Sequence, residues 1–195
     1  MCGSGALLVF VAVATTPVAA QWRIGMELMN SYYRGSAVDT SGNPHARPGD
    51  ALTAGLRIEH DMKRLRAAVR LSYGKPGFSI TGQGVTINDK TANKLIEVAA
   101  LLGFRVGGIG PSGAIRAELG PALHLWKVGD ESRSRVGAQV ATSYEWAVGG
   151  RFTGALRLEG ALSKSWFDAA DLPPEYRRQV TWRFGWGAGL RYRLT

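Results

Sequence analysis

From Gln21 onward, hydrophobic positions alternate with polar or small ones, with a period of two. An extended chain sends successive side chains to opposite faces, so each alternating segment reads as a two-faced strand. In the first segment Trp22, Ile24, Met26 and Leu28 share one face, and Arg23, Gly25, Glu27 and Met29 share the other. The second sets Leu52, Ala54, Leu56 and Ile58 against Thr53, Gly55, Arg57 and Glu59. The third sets Leu65, Ala67, Val69, Leu71 and Tyr73 against Arg66, Ala68, Arg70 and Ser72. The fourth sets Ile96, Val98, Ala100, Leu102 and Phe104 against Leu95, Glu97, Ala99, Leu101, Gly103 and Arg105. In the fifth, Ile115, Ala117, Leu119, Leu123 and Leu125 oppose Arg116, Glu118, Gly120 and His124. In the sixth, Val136, Ala138, Val140, Tyr144 and Trp146 oppose Gly137, Gln139, Ser143 and Glu145. In the seventh, Phe152, Leu156, Leu158 and Leu162 oppose Thr153, Arg157, Glu159 and Ser163. The eighth alternates without a break from Gln179 to Leu194, with Arg183, Gly185, Gly187, Gly189, Arg191 and Arg193 on its polar side.

Each segment has about nine to fifteen residues, and about nine to eleven residues of tilted strand cross a bilayer. No charge interrupts the middle of an apolar row. A Lys or Arg there would cost about 2–4 kcal/mol at the bilayer midplane. The polar rows carry repeated Arg and Glu. A soluble sandwich or ligand-carrying barrel turns its apolar rows inward. Here the pattern predicts the opposite: an all-β, eight-stranded antiparallel up-and-down transmembrane β-barrel over residues 21–195, apolar side outward.

The gaps support that topology. Residues 34–50, 75–91 and 164–177 form long connections and 128–134 a shorter polar one. Tight turns near 60–64, 107–112 and 148–151 alternate with them. Outer-membrane barrels have short periplasmic turns and longer outside loops. An even strand count places both chain ends on the periplasmic side. Trp22, Phe104, Trp146, Phe152 and Tyr192 then line the lower membrane boundary, and Tyr32, Tyr73, Trp166 and Trp182 the upper one.

Residues 1–20 are expected to be a cleaved signal peptide. An apolar run from Ala6 to Ala14 is broken by Thr15, Thr16 and Pro17, and Val18, Ala19 and Ala20 precede Gln21. No Lys or Arg precedes the run. No stretch reaches the roughly 18 apolar residues of a spanning helix. A single cysteine, Cys2, rules out an intramolecular disulfide. The net charge of +9 suggests nucleic acid, an acidic membrane surface, or arginine used as structural filler, and export removes the first.

The arrangement resembles the small outer-membrane β-barrel family, of the OmpA transmembrane-domain and OmpX type, over residues 21–195. The last strand carries the most specific part of the likeness. Members end in a signal for the barrel-assembly machinery, and Gly189, Tyr192 and Leu194 match its spacing. Gly187 stands where a polar residue is usual, and the chain continues to Thr195 without the common terminal aromatic. The resemblance implies localisation in the outer membrane, with lipid, lipopolysaccharide and the assembly machinery as partners. It implies no cofactor.

Inside an eight-stranded barrel there is room for side chains and little else. Arg57-Ile58-Glu59, Arg116-Ala117-Glu118 and Arg157-Leu158-Glu159 each place an opposite pair on the inward face. Arg23, Glu27, Arg66, Arg70, Glu97, Arg105, Glu145 and Arg183 join them. An unpaired buried charge is costly, so these residues are expected to form an ion-paired plug that leaves no open channel. The alternatives are a narrow anion pathway and a barrel enzyme acting on envelope lipid. For the enzyme, His124 is the only histidine inside a strand, but Trp126 stands where a lipid A deacylase would want Ser. No catalytic or metal residue is assigned.

Gly108-Ile109-Gly110-Pro111-Ser112-Gly113 has dinucleotide-fingerprint spacing but leads into a strand, so its context fails. Asp168, Asp171 and Glu175 are spread along an acidic loop. Residues 77–87 are expected either to form a hairpin above the membrane that pairs with an extracellular partner, or to add a ninth and tenth strand. Pro121, inside the fifth strand, is expected to sit at a bulge.

Overall fold

In a computed structural model, residues 21–194 are described apart from 41–44, 63–64, 83–84, 90–92, 111, 169, 171 and 173. The expected signal peptide, residues 1–20, lies outside the described residues. So do Asp171 and Thr195. Among the described residues eleven strands follow one another: β1 Gln21–Asp39, β2 His45–Pro48, β3 Ala51–Met62, β4 Leu65–Gly74, β5 Phe78–Gly82, β6 Val85–Asp89, β7 Asn93–Ile109, β8 Gly113–Val128, β9 Glu131–Gly149, β10 Phe152–Ser163 and β11 Tyr176–Arg193.

Eight of them close a ring in the order β1-β3-β4-β7-β8-β9-β10-β11, and β11 pairs back onto β1. Every pairing is antiparallel. The ring has a measurable stagger. Hydrogen-bonded partners lead from Gly25 through Arg57, Arg70, Ala99, Ala122, Gly137, Ser163 and Thr181 to Gly35, ten residues further along β1. With about 3.3 Å per residue and about 4.7 Å between strands, that stagger tilts the strands by about 40° and gives a backbone radius of about 8 Å. The interior therefore holds two facing layers of side chains and no more.

The sequence alternation becomes an inside–outside alternation on every ring strand. Met26, Leu28, Leu52 and Val136 are 58–68% exposed on the outside, whereas Arg57, Glu59, Arg66, Arg70 and Glu97 are at most 1% exposed within. Large apolar groups clothe the wall, and charges fill the centre.

The two rims differ. At the lower rim β7 and β8, and β9 and β10, meet in tight connections, with Gly110 and Gly150 at positive φ, and the start of β1 pairs with the end of β11. At the upper rim β1, β8 and β9 extend further. The 128–134 connection contracts to a turn at Gly129 and Asp130, because β8 and β9 stay paired as far as Val128 and Glu131. Of the two expectations for residues 77–87, the hairpin is the one the described residues follow. β5 and β6 pair with each other, and β2 joins β5 to the top of β1. These three short strands form a wing above the ring, and the ring count stays at eight.

Pro121 is not at a bulge. The β7–β8 pairing passes from Ala99–Ala122 to Leu102–Leu119 without a change of register, and Pro121 faces Ala138 in an unbroken β8–β9 ladder. The proline lacks an N–H, and the two ladder steps at Ala100–Pro121 and Leu101–Gly120 are left open. Gly120 makes this possible: a Cβ there would stand 1.9 Å from the Ala100 carbonyl oxygen, so only glycine admits the neighbouring backbone. The actual bulge of this strand pair lies lower, between Arg105 and Gly107.

Candidate functional site

The inward rows of all eight ring strands converge on one ion-paired column. At the lower end Arg66 holds Asp61 and Glu145, each at 2.7 Å, and Glu59 at 3.1 Å. Arg23 reaches Asp61 at 2.7 Å, and Arg116 reaches Glu145 at 3.1 Å. Arg191 donates to Glu145 and lies 3.3 Å from Glu59.

In the middle, Glu118 accepts from both Arg57 and Arg157. Arg57 also donates to Glu59, and Arg157 to Glu159 at 3.2 Å. Arg70 stands 3.1 Å from Glu27 and donates to Glu97 at 3.2 Å and Glu159 at 3.0 Å. Higher still, Arg183 bridges Glu97 at 2.6 Å and Glu159 at 2.8 Å. Gln139 donates to Glu159 at 2.7 Å, and His124 Nε2 is 2.8 Å from Glu97.

Charge is nearly balanced in this column. Eight arginines (23, 57, 66, 70, 116, 157, 183, 191) face seven carboxylates (27, 59, 61, 97, 118, 145, 159), with His124 beside one of them. Each carboxylate bridges two or more cations, so adjacent strands are tied across the lumen as well as along the wall. Such geometry is what offsets the desolvation of buried charge.

Above the ions sits an aromatic cap. Tyr33, Leu95, Trp126 and Trp166 are each 2% exposed and pack together, with Phe78, Val128 and Phe167 against them. Trp126 and Trp166 lie 5.5 Å apart, and Tyr33 meets Trp126 edge-on at 6.0 Å. The cap is fastened by polar contacts. Arg135 donates to the Ser165 carbonyl at 2.6 Å and to Asp168 at 2.8 Å, and Arg133 and Arg135 both reach the Trp166 carbonyl at 3.2 Å. Ser165 donates to the Ser36 carbonyl at 2.8 Å. Ser36 lies at the β1 bulge opposite β11, with φ of 98°.

The structure brings together Arg23, Glu27, Arg57, Glu59, Arg66, Arg70, Glu97, Arg116, Glu118, Glu145, Arg157, Glu159 and Arg183. Arg105 is a correction. It is exposed at the lower rim, beside the β7 bulge, and donates to the Gly107 carbonyl at 3.5 Å. Trp166 is a second correction: it caps the lumen rather than standing at the upper outer boundary. Arg191 and Asp61 belong to the column by the same parity that identified the others. Trp126 shares the parity of His124, which was the available signal for the cap. At the C-terminal end, Gly189 faces Glu27, Tyr192 packs outside against Phe152 at 5.1 Å, and Leu194 is exposed at the lower rim.

No protein-family model matches the chain, and comparison with curated proteins finds no match. Solved structures do match. Neisserial surface protein A superposes with a TM-score of 0.56 at 13% identity, over 88% of this chain and 96% of that one. Ail, the attachment invasion locus protein of Yersinia pestis, gives 0.45 at 12% identity, over 90% and 100% of the two chains. The N-terminal β-barrel domain of Pseudomonas aeruginosa OprF gives 0.44 at 15% identity, over 89% and 99%. At such identities a likeness speaks to architecture, and the first of them carries it: this chain has the fold of the small outer-membrane β-barrel proteins.

Proposed function

We propose that this protein spans the outer membrane as a closed barrel and serves a structural or surface-interaction role, passing no solute and catalysing no reaction. The observation that carries this reading is the pairing of a lipid-compatible wall with an ion-paired lumen. Soluble monomers rarely expose an apolar patch larger than a few hundred Å². Here the outward residues of all eight ring strands form one continuous apolar belt. Lipid tails are the surroundings in which such a belt carries no penalty. Within, bridged carboxylates fill the centre of the barrel and the aromatic cap covers them. The near balance of arginine and carboxylate removes the cationic surplus an anion pathway would need.

A role in lipid hydrolysis is disfavoured by the position of His124. It is buried beside Glu97, under Trp126, where no lipid arrives. In this reading residues 1–20 direct export, Gly189, Tyr192 and Leu194 present the assembly signal, and the loops of the upper rim face the exterior. The wing favours surface interaction. Among the described residues β6 pairs with β5 alone and ends the sheet, so its outer edge offers a place for an extended strand of a partner.

Fractionation and conductance test the proposal. The protein is expected in the outer-membrane fraction, with faster gel migration before boiling than after. In planar bilayers it is expected to give no steady current of porin size. A soluble, heat-insensitive product would overturn the membrane reading, and a stable open pore would overturn the closed lumen.

A further inference from the structure

Three lysines stand side by side on the outside of the upper wall. Lys94 of β7 is the direct register partner of Lys127 of β8, and both are exposed. Lys75 follows Gly74, whose partner is Leu95, and so stands one step along, beside Lys94. Among the described residues no ion pair engages any of the three. Like charges directly opposite on a sheet destabilise it. The row is therefore a standing cost that an anion at this height would remove.

Directly below the row the wall is hollow. Leu28 has an alanine on either side in register, Ala188 on β11 and Ala54 on β3, and Ala54 is followed by Tyr73 on β4. These small side chains leave a groove of about 840 Å³ among the taller Met26, Leu56 and Leu71. Its upper end is lined by Tyr73 and Ile96, each two residues from a lysine of the row. Its lower end reaches Leu190. The groove therefore runs down the wall from the lysines towards the bilayer middle, with a basic head and an apolar body.

We propose that this face holds one phosphate-bearing lipid of the outer leaflet, its phosphate on Lys75, Lys94 and Lys127 and an acyl chain in the groove over Ala54 and Ala188. The inference rests on the membrane-spanning reading above. Charge complementarity and the continuity of groove with lysine row identify the occupant. An acyl chain fills the groove, and only an anionic head answers three adjacent cations.

The test uses the full barrel refolded in detergent, after vesicle insertion and heat-modifiable migration have been verified for wild type and variants. Native mass spectrometry is run with dimyristoyl phosphatidic acid and with dimyristoyl phosphatidylcholine, which share the same chains. We expect one phosphatidic acid retained per barrel, about tenfold or more in preference to phosphatidylcholine. The triple variant Lys75→Gln, Lys94→Gln, Lys127→Gln is expected to lose the preference while still inserting. Ala54→Trp, which fills the groove with a side chain that lipid tolerates, is expected to lose retention of both lipids. Equal retention of the two lipids, or triple-variant retention like wild type, overturns the proposal and leaves the barrel reading intact. So does a barrel dimer in place of the lipid adduct. Failure of the wild type to insert overturns both.

Discussion

Glu118 shows what a single interior residue does. Its two oxygens serve Arg57 on β3 and Arg157 on β10, strands that flank the β11–β1 closure of the ring. Replacing it by alanine leaves two buried guanidiniums short of a counter-charge. Breaking a buried pair in this way costs about 3–5 kcal/mol. Glu118→Ala is therefore expected to lower barrel stability by that amount in urea titrations of the folded protein in detergent. Arg105→Ala, at the exposed rim, is expected to change it by no more than about 0.5 kcal/mol. Equal effects would show that the ion column has no structural weight. The same contrast explains what was legible residue by residue. Parity assigned thirteen interior charges, because a strand fixes side-chain direction for its whole length. It failed at Arg105, where the bulge at the end of β7 breaks the alternation, and at Trp166, which lies past the end of β10 where no ladder sets direction.

At the scale of elements, closure depends on how β11 meets β1. Gly187 lies opposite Met29, and a Cβ at Gly187 would stand 2.0 Å from the Leu28 carbonyl oxygen and 2.7 Å from the Met29 Cα. That contact accounts for a glycine at position 187. Gly187→Val is expected to prevent closure, read as loss of the fast-migrating unboiled band. A variant that migrates like wild type would contradict this close approach. The eight ring strands were legible because each repeats a period of two over its full length. The wing was legible only as alternatives, since two five-residue strands carry too little pattern to distinguish a hairpin from two more ring strands. The Pro121 bulge failed for a different reason. Gly120 lets β7 approach, and that long-range contact has no sequence signature. The wing also sets an element-level expectation for topology. Protease added to intact cells should cut within residues 75–92 and leave the ring protected. Cleavage that requires disrupted cells would place the upper rim on the wrong side.

For the whole molecule, stagger and strand number decide the character of the lumen. Eight strands with a ten-residue stagger leave a cylinder too narrow for an aqueous channel once arginine and glutamate side chains enter it. The chain fills that space with balanced ions below and aromatic rings above, and gives its aliphatic residues to the outside. Everything else follows from that inversion of a soluble core. Quenching by brominated lipid in single-tryptophan variants measures it most directly, with the other five of the six tryptophans replaced by phenylalanine. Trp186 on the outer wall is expected to be strongly quenched when the barrel sits in brominated bilayers, and Trp126 in the lumen to be nearly unaffected. A quenched Trp126 beside an unquenched Trp186 would contradict the account.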